Sequence, residues 1–163
     1  MTFPIPNFSR GKVSRAGDIL ISDAPTQEEL TEALALINHW RACHAYPVNT
    51  FQATLRSRIR KVCTNTLVAQ RMKRVPSIAK KLMKNHGMKL ARMQDIGGLR
   101  AVVDTVVQVR QLHELYTDGS LTHELIDTDD YIESPKPSGY RSLHLIYKYN
   151  NPSAIAYNGL CIE

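Results

Sequence analysis

The sequence predicts an α+β fold, helical at the front and built on a β-sheet at the rear. Three observations point there. Apolar residues recur at three- and four-residue intervals between Leu30 and Val62. In LTHELIDT and SLHLIYKY they alternate with polar residues, the period of a strand with one buried face. A single helical pattern, TVVQVRQLHELYT, stands between the strand-like stretches, as in a sheet that carries a helix. The 163 residues suffice for one domain with its own core. No internal repeat, low-complexity tract or linker interrupts them.

The first helix is PTQEELTEALALINHW. Thr26 and Glu29 have the spacing of a capping box, and Leu30, Ala33, Leu34, Ile37 and Trp40 fall on one face. HAYPVNT is expected to break it. A second helix is expected from about Phe51 toward Ala69, with Phe51, Leu55, Ile59 and Val62 inward and Arg56, Arg58, Arg60 and Lys61 between them. RMKRVPS reads as a loop, since Pro76 disfavours the helical region for Val75. SIAKKLMKNHG reads as a short helix opened by Ser77 and closed by Gly87. IGGLRAVVD follows as a buried strand. AIAYNGLCIE reads as a hairpin with Asn158-Gly159 at its turn.

Charge placement narrows the function. The net charge is +6, and between Ala33 and Gln94 there is no Asp or Glu, while 13 of the 21 Lys and Arg lie there. From Asp95 onward 10 acids face 5 bases. A one-signed front attracts phosphates, whether of a nucleotide or of RNA, although a solvated helix face also carries cations. Cys43, Cys63 and Cys161 are odd in number and widely spaced, which argues against a disulfide framework or a zinc knuckle. No apolar run is long enough to span a bilayer, and MTFPIPNFSRGK lacks the apolar region of a signal peptide. A reduced, cytoplasmic protein without a membrane partner is expected.

Three constellations carry chemistry. In RMKRVPSIAKK, the residues Arg71, Lys73, Ser77 and Lys81 lead into a helix whose first amides are expected to be free, a phosphate site by geometry. Basic loops before helices are common, so a solvated surface is the rival reading. In MQDIGGLRAVV, Asp95 stands at a strand mouth before Gly97 and Gly98. A carboxylate there suits Mg²⁺ bridging to phosphates, or simply caps the preceding turn. Strict alternation sets Arg100 on the face opposite Asp95 unless a bulge at the glycines turns it. In PKPSGYRSLH, Lys136 supplies charge and Gly139 permits a tight turn. Tyr140 offers a flat face for a base, and Ser142 and His144 share the face opposite Leu143 and Leu145. His144 alone also fits a structural histidine.

Together RMKRVPSIAKKL, RMQDIGGLRAVV, DYIESPKPSGYRSLH and GLCIE resemble the synthetase domain of the RelA/SpoT family, the alarmone synthetases of the stringent response. The likeness runs from Arg71 to Glu163, and INHWRACHAYPVNTFQATLR is similar to the helical lead-in of its single-domain members. The resemblance implies one domain over 1–163, with 1–70 a mostly helical lead-in and 71–163 the nucleotide-binding and catalytic core. It implies a nucleotidyltransferase-like mixed β-sheet flanked by helices. It also implies a Mg²⁺-dependent pyrophosphotransferase that moves the β,γ-pyrophosphate of ATP to the 3′-hydroxyl of GDP or GTP. By the same resemblance Arg71 and Arg100 would sandwich adenine, and Lys73, Ser77 and Lys81 would hold the phosphates of ATP. Asp95 would bind Mg²⁺. Tyr140 would stack on the acceptor guanine, with Lys136 and His144 nearby. Glu163 would be a second metal ligand or the base for the acceptor hydroxyl. The His-Asp metal pattern of the family's hydrolase domain is absent, so hydrolysis is not expected.

Three departures from the family pattern shape the expectations. Asp129 and Asp130 stand where relatives often carry a basic residue just before DYI, and two carboxylates are expected to repel an acceptor diphosphate. Ser138 replaces a usual Asn. Both resemble the toxin-like branch, which implies the 3′ end of tRNA as an alternative acceptor and an antitoxin as a partner. The family pattern also continues past Glu163 with QIRT and a helix, so the chain is expected to be cut short there. A nucleotide- or tRNA-binding remnant without catalysis is then a further alternative.

Overall fold

A computed structural model describes residues 2–64 and 66–163. Five strands form one mixed sheet in the order β1-β2-β5-β4-β3: β1 Leu67–Met72, β2 Gly97–Val102, β3 Glu124–Asp130, β4 Leu143–Lys148 and β5 Cys161–Ile162. The helices are α1 Arg10–Leu20, α2 Gln27–Cys43, α3 Ala45–Ile59, α4 Val75–Lys84 and α5 Val106–Thr117. No helix among the described residues is long and apolar enough to cross a membrane. Cys43, Cys63 and Cys161 carry free thiols.

Local chemistry fixes the helix starts. Thr26 and Glu29 close a full capping box at α2, and Thr105 with Gln108 does the same at α5. Along α2 the buried positions are Ala33, Ile37, Trp40 and Cys43, while Leu30 and Leu34 are only partly covered. α2 does end where HAYPVNT begins, but the rest of that segment is helical rather than a loop. His44 ends α2 and α3 begins at Ala45, with Pro47 in its first turn, where a missing N–H costs no helical hydrogen bond.

The remaining differences from the sequence expectation have physical causes. α3 ends at Ile59, and Leu67–Met72 pairs antiparallel with β2 instead of prolonging the helix. The part of that expected helix on Asn65 lies outside the described residues. α4 starts at Val75 rather than Ser77, because Pro76 fits the first turn with its preset φ. AIAY forms a 3₁₀ turn, not a strand. The Asn158-Gly159 turn is present, with Gly159 at φ 85°, and the strand that follows it pairs with β4 and β2. Arg10–Leu20 is a helix that no periodicity announced: its buried residues are Val13, Ala16 and Gly17.

One face of the sheet holds the core. Val68, Met72, Leu99, Ala101, Leu145, Tyr147 and Ile162 pack there against α3 and its neighbours. The approach is closest at Gly97, where an added Cβ would lie 2.6 Å from Val48 Cγ2 and 3.2 Å from His44 Cβ. The other face carries Ala69, Arg71, Gly98 and Arg100, which share a side by the β1–β2 register.

Asp130 ends β3 on the core side, one residue after Asp129. Its carboxylate bonds Arg110 of α5 and the amides of Ile132 and Glu133. The Arg110 hydrogen bond, with these amides, holds its carboxyl down to about 2. A depressed folded value stabilises above the unfolded value near 4, and that stabilisation is lost as pH falls toward 2. Thermal unfolding followed between pH 5 and pH 2 should therefore show Asp130→Asn losing less stability on acidification than the unsubstituted chain. Parallel pH profiles for the two would remove this ion pair from the acid response.

Candidate active site

Three structural elements converge on the mouth of β2. The first is the turn into β2, which holds Asp95. Its two carboxylate oxygens accept from Lys73 Nζ at 2.8 Å and Lys81 Nζ at 2.9 Å. Burial pushes this carboxyl up, but the two lysine hydrogen bonds and their charges leave it below its ordinary value, so it is ionised at neutral pH. Lys73 follows β1 and is pinned by its main chain: its N–H donates to Ile96 O at 2.8 Å, and its carbonyl accepts from Arg41 Nε at 2.7 Å. Lys81 lies one turn beyond Ser77 on α4, so the two share a face.

The second element is the open face of β1 and β2. Arg71 pairs with Gly98, and Arg100 pairs with Ala69, so the two arginines stand diagonally on neighbouring strands of one face. Both are exposed. The ladder between β1 and β2 runs in continuous register, and no bulge is needed to bring Arg100 to this side.

The third element is the β3–β4 loop with the end of β5. Glu163 continues the parallel pairing with β2: its N–H donates to Gly97 O at 3.3 Å, and its carbonyl accepts from Leu99 N at 2.8 Å. A Cβ on Gly98 would sit 3.2 Å from that carbonyl oxygen, so the second glycine admits the strand end. Glu163 alternates with Ile162, and His144 with Leu145, which puts both on the open side. His144 Nδ1 bonds Glu163 Oε1, and its Nε2 lies 2.9 Å from the Tyr140 hydroxyl. The hydrogen bond from His144 holds the Glu163 carboxyl below its ordinary value despite its burial. Tyr140, His144 and Glu163 thus form one hydrogen-bonded chain. Gly139 has φ 78° in the tight turn, and Lys136 Nζ sits 3.9 Å above the Tyr131 ring and 5.6 Å from the Tyr140 ring.

Two expectations change. The start of α4 is a poor anion cradle, because Pro76 has no N–H and the Ser77 amide donates to Arg74 O at 2.9 Å. Positive charge comes instead from Lys73 and Lys81. The pair Asp129–Asp130 does not act together: Asp129 lies opposite His144 on the open face, while Asp130 is turned away and paired with Arg110. Sequence reading passed over Tyr131, whose ring meets Tyr140 and His144 edge-on at 5.9 Å and 5.4 Å. It also passed over Arg41. Alternation along β3 was the signal available for Asp130 and Tyr131; nothing local marked Arg41.

A family described as a region found in RelA / SpoT proteins matches residues 70–158. The GTP pyrophosphokinase of Haemophilus influenzae is 25% identical over 124 residues, covering 73% of this chain and 16% of that protein. The GTP pyrophosphokinase YwaC of Bacillus subtilis is 34% identical over 87 residues, covering 50% of this chain and 35% of that protein. The matches thus span a minor part of either relative's length. The small alarmone synthetase 1 of Bacillus subtilis has a like fold, with TM-score 0.65 at 24% identity over 77% of this chain and 67% of that one. Bound to its product pppGpp it gives TM-score 0.63 at 26% identity over 73% and 66%.

The lysine pair on Asp95 makes an unequal prediction. Lys73 is 11% exposed and Lys81 33%. Lys73→Met should cost about 1–2 kcal/mol, because it strips a desolvated carboxylate of a partner, and Lys81→Met less than about 1 kcal/mol. Denaturant unfolding of the two variants checks the order; equal losses would contradict it.

Proposed function

The chain belongs to the RelA/SpoT family, and on that premise we propose that it moves the β,γ-pyrophosphate of ATP to the 3′-hydroxyl of GDP or GTP. The observation that carries this reading is the single open face on which Arg71, Arg100, His144 and Glu163 stand beside the Lys73–Asp95–Lys81 cluster. The names of the two curated relatives support a guanosine nucleotide acceptor, as does the pppGpp bound to the small alarmone synthetase.

In this reading Arg71 and Arg100 stack on adenine, using planar guanidinium groups. Lys73, Lys81 and the Ser77 hydroxyl hold the phosphates of ATP, and Tyr140 with Lys136 receives the guanosine. The acceptor 3′-oxygen attacks the β-phosphorus. A new oxygen–phosphorus bond forms, the bond from that phosphorus to the oxygen shared with the α-phosphate breaks, and AMP leaves. Ionised Glu163 takes the hydroxyl proton, oriented by its bond to His144.

Among the described residues no group of three or more metal-ligating side chains gathers. Mg²⁺ does not require one, since it is commonly bound by one or two carboxylates plus phosphate oxygens and water. Asp95 is an ionised hard-oxygen donor and fits that mode, and Glu163 fits it as the alternative to its role as base. Bound there, Mg²⁺ would neutralise charge on the transferring phosphates.

A second reading, transfer to the 3′ end of tRNA, is favoured by one observation. Asp129 stands opposite His144 on the open face, where a negative charge disfavours an acceptor diphosphate. For a half-buried group at the surface this amounts to about 1 kcal/mol.

Incubation with γ-labelled ATP and either GDP or deacylated tRNA tests the reading. Label should appear in a guanosine product, and absence of label from both acceptors would sink both transfer readings. Arg71→Lys and Arg100→Lys should each weaken ATP binding by about 1–2 kcal/mol while leaving the fold intact. Unchanged calorimetric affinity in both would remove the adenine clamp. Asp129→Arg should raise transfer to GDP relative to tRNA; an unmoved ratio would discard the charge argument.

A further inference from the structure

The loop that carries Lys136 and Tyr140 spans residues 131–142, and few bonds tie it to the body of the protein. Its base is closed by Tyr131 N donating to Ser142 O at 2.8 Å. Its interior is local: Gly139 N donates to Lys136 O at 2.8 Å, Lys136 N to Tyr140 O at 3.3 Å, and Arg141 Nη2 to Ile132 O at 3.1 Å. Among the described residues the one charged tie is Asp130. Its Oδ1 accepts the amides of Ile132 and Glu133 at 3.0 Å each, its main-chain oxygen accepts Ser134 N at 3.0 Å, and its Oδ2 accepts from Arg110 Nη1. Arg110 stands on α5, whose far end is locked to the sheet by Tyr147 Oη donating to Tyr116 O at 2.6 Å.

We infer that Arg110, acting through Asp130, is a positioning residue for the acceptor side of the site. The first turn of the loop is folded around the Asp130 carboxylate. That turn sets Tyr131, whose ring lies against His144 on the open face. The Tyr131 ring in turn touches His144 and Tyr140 edge-on and lies beneath the Lys136 ammonium. A bond made on the core side of the sheet thereby fixes three groups on the opposite side. Charge-assisted hydrogen bonds are the strong members of such networks, and the guanidinium keeps the carboxylate from turning away from the two amides. The groups assigned to ATP stand elsewhere, on β1, β2, α4 and the turns beside them. No hydrogen bond among the described residues ties them to this loop.

The inference rests on the acceptor reading of Tyr140 and Lys136, so its test carries a readout independent of turnover. Arg110→Met keeps the aliphatic stem and removes the fork; Arg110→Lys keeps the charge. In Arg110→Met the amides of Ile132 and Glu133 should exchange with deuterium about tenfold faster, with those of β2 unchanged. In the label-transfer assay KM for GDP should rise about tenfold in Arg110→Met with KM for ATP within about twofold, and Arg110→Lys should recover most of the loss. Unchanged loop exchange overturns the inference, as does a parallel rise in both KM values. If the unsubstituted chain transfers no label, the functional reading fails by itself, and loop exchange alone then decides whether Arg110 positions the loop.

Discussion

The contact on which the rest of the molecule depends is the approach of α3 to β2 at Gly97. A single methyl group there would overlap Val48, so the helix could not lie against the centre of the sheet. With it seated, Phe51 and Leu55 reach the core beside Tyr147. His44 is 1% exposed, and burial pushes its imidazole down to about 4, only partly opposed by its 2.8 Å bond to Trp40 O. A neutral ring at the join of two helices is compatible with a dry core, whereas a charged one would have to be solvated. The next residue, Gly98, faces the other way and gives the same clearance to Glu163. Packing on one face and site geometry on the other are therefore set by adjacent bare backbones.

Much of this was legible because some signals are local. The capping box at Thr26 acts within one turn, and period-two alternation along β4 reflects a face covered by helices, whereas β3 carries a register shift between Leu125 and Asp127 and stays largely exposed. What escaped was fixed by tertiary partners. Leu67–Met72 becomes a strand because β2 offers it a ladder, against a helix carried forward from the apolar spacing of Phe51, Leu55, Ile59 and Val62. α1 buries only Val13, Ala16 and Gly17, the glycine against Leu90 and Leu82, so no large apolar stripe marks it. β5 was expected as the second arm of a hairpin after Asn158-Gly159, but its true partners, β4 and β2, are distant in the chain and left no local mark.

The candidate site shows the same division. Chain order alone grouped Lys73, Lys81 and Asp95 near one strand mouth, and the ion pairs form between them. The diagonal of Arg71 and Arg100 follows from a register that no single strand encodes. Asp129 and Asp130 read alike as a doubled negative charge, yet a pleated strand must send neighbours to opposite faces. Only one of them adds charge to the open side; the other is neutralised beneath the sheet by a helix lying upstream in the chain.

The strand order has a consequence for assembly. β5 comes after every other described strand in the chain but lies in the middle of the sheet, between β2 and β4. During synthesis β1 with β2, and β3 with β4, can each pair as soon as they leave the ribosome, giving two half-sheets that do not touch through hydrogen bonds. Ile162 then joins them, parallel to Gly97 on one side and antiparallel to Tyr147 on the other. The nascent chain thus carries the arginine pair on one half and the tyrosine–histidine pair on the other, with no single working surface. β5, the last of the described strands in chain order, acts as a clasp, and closing it costs the loop entropy of a long-range contact. A partly made protein of this design holds the parts of its site without bringing them together.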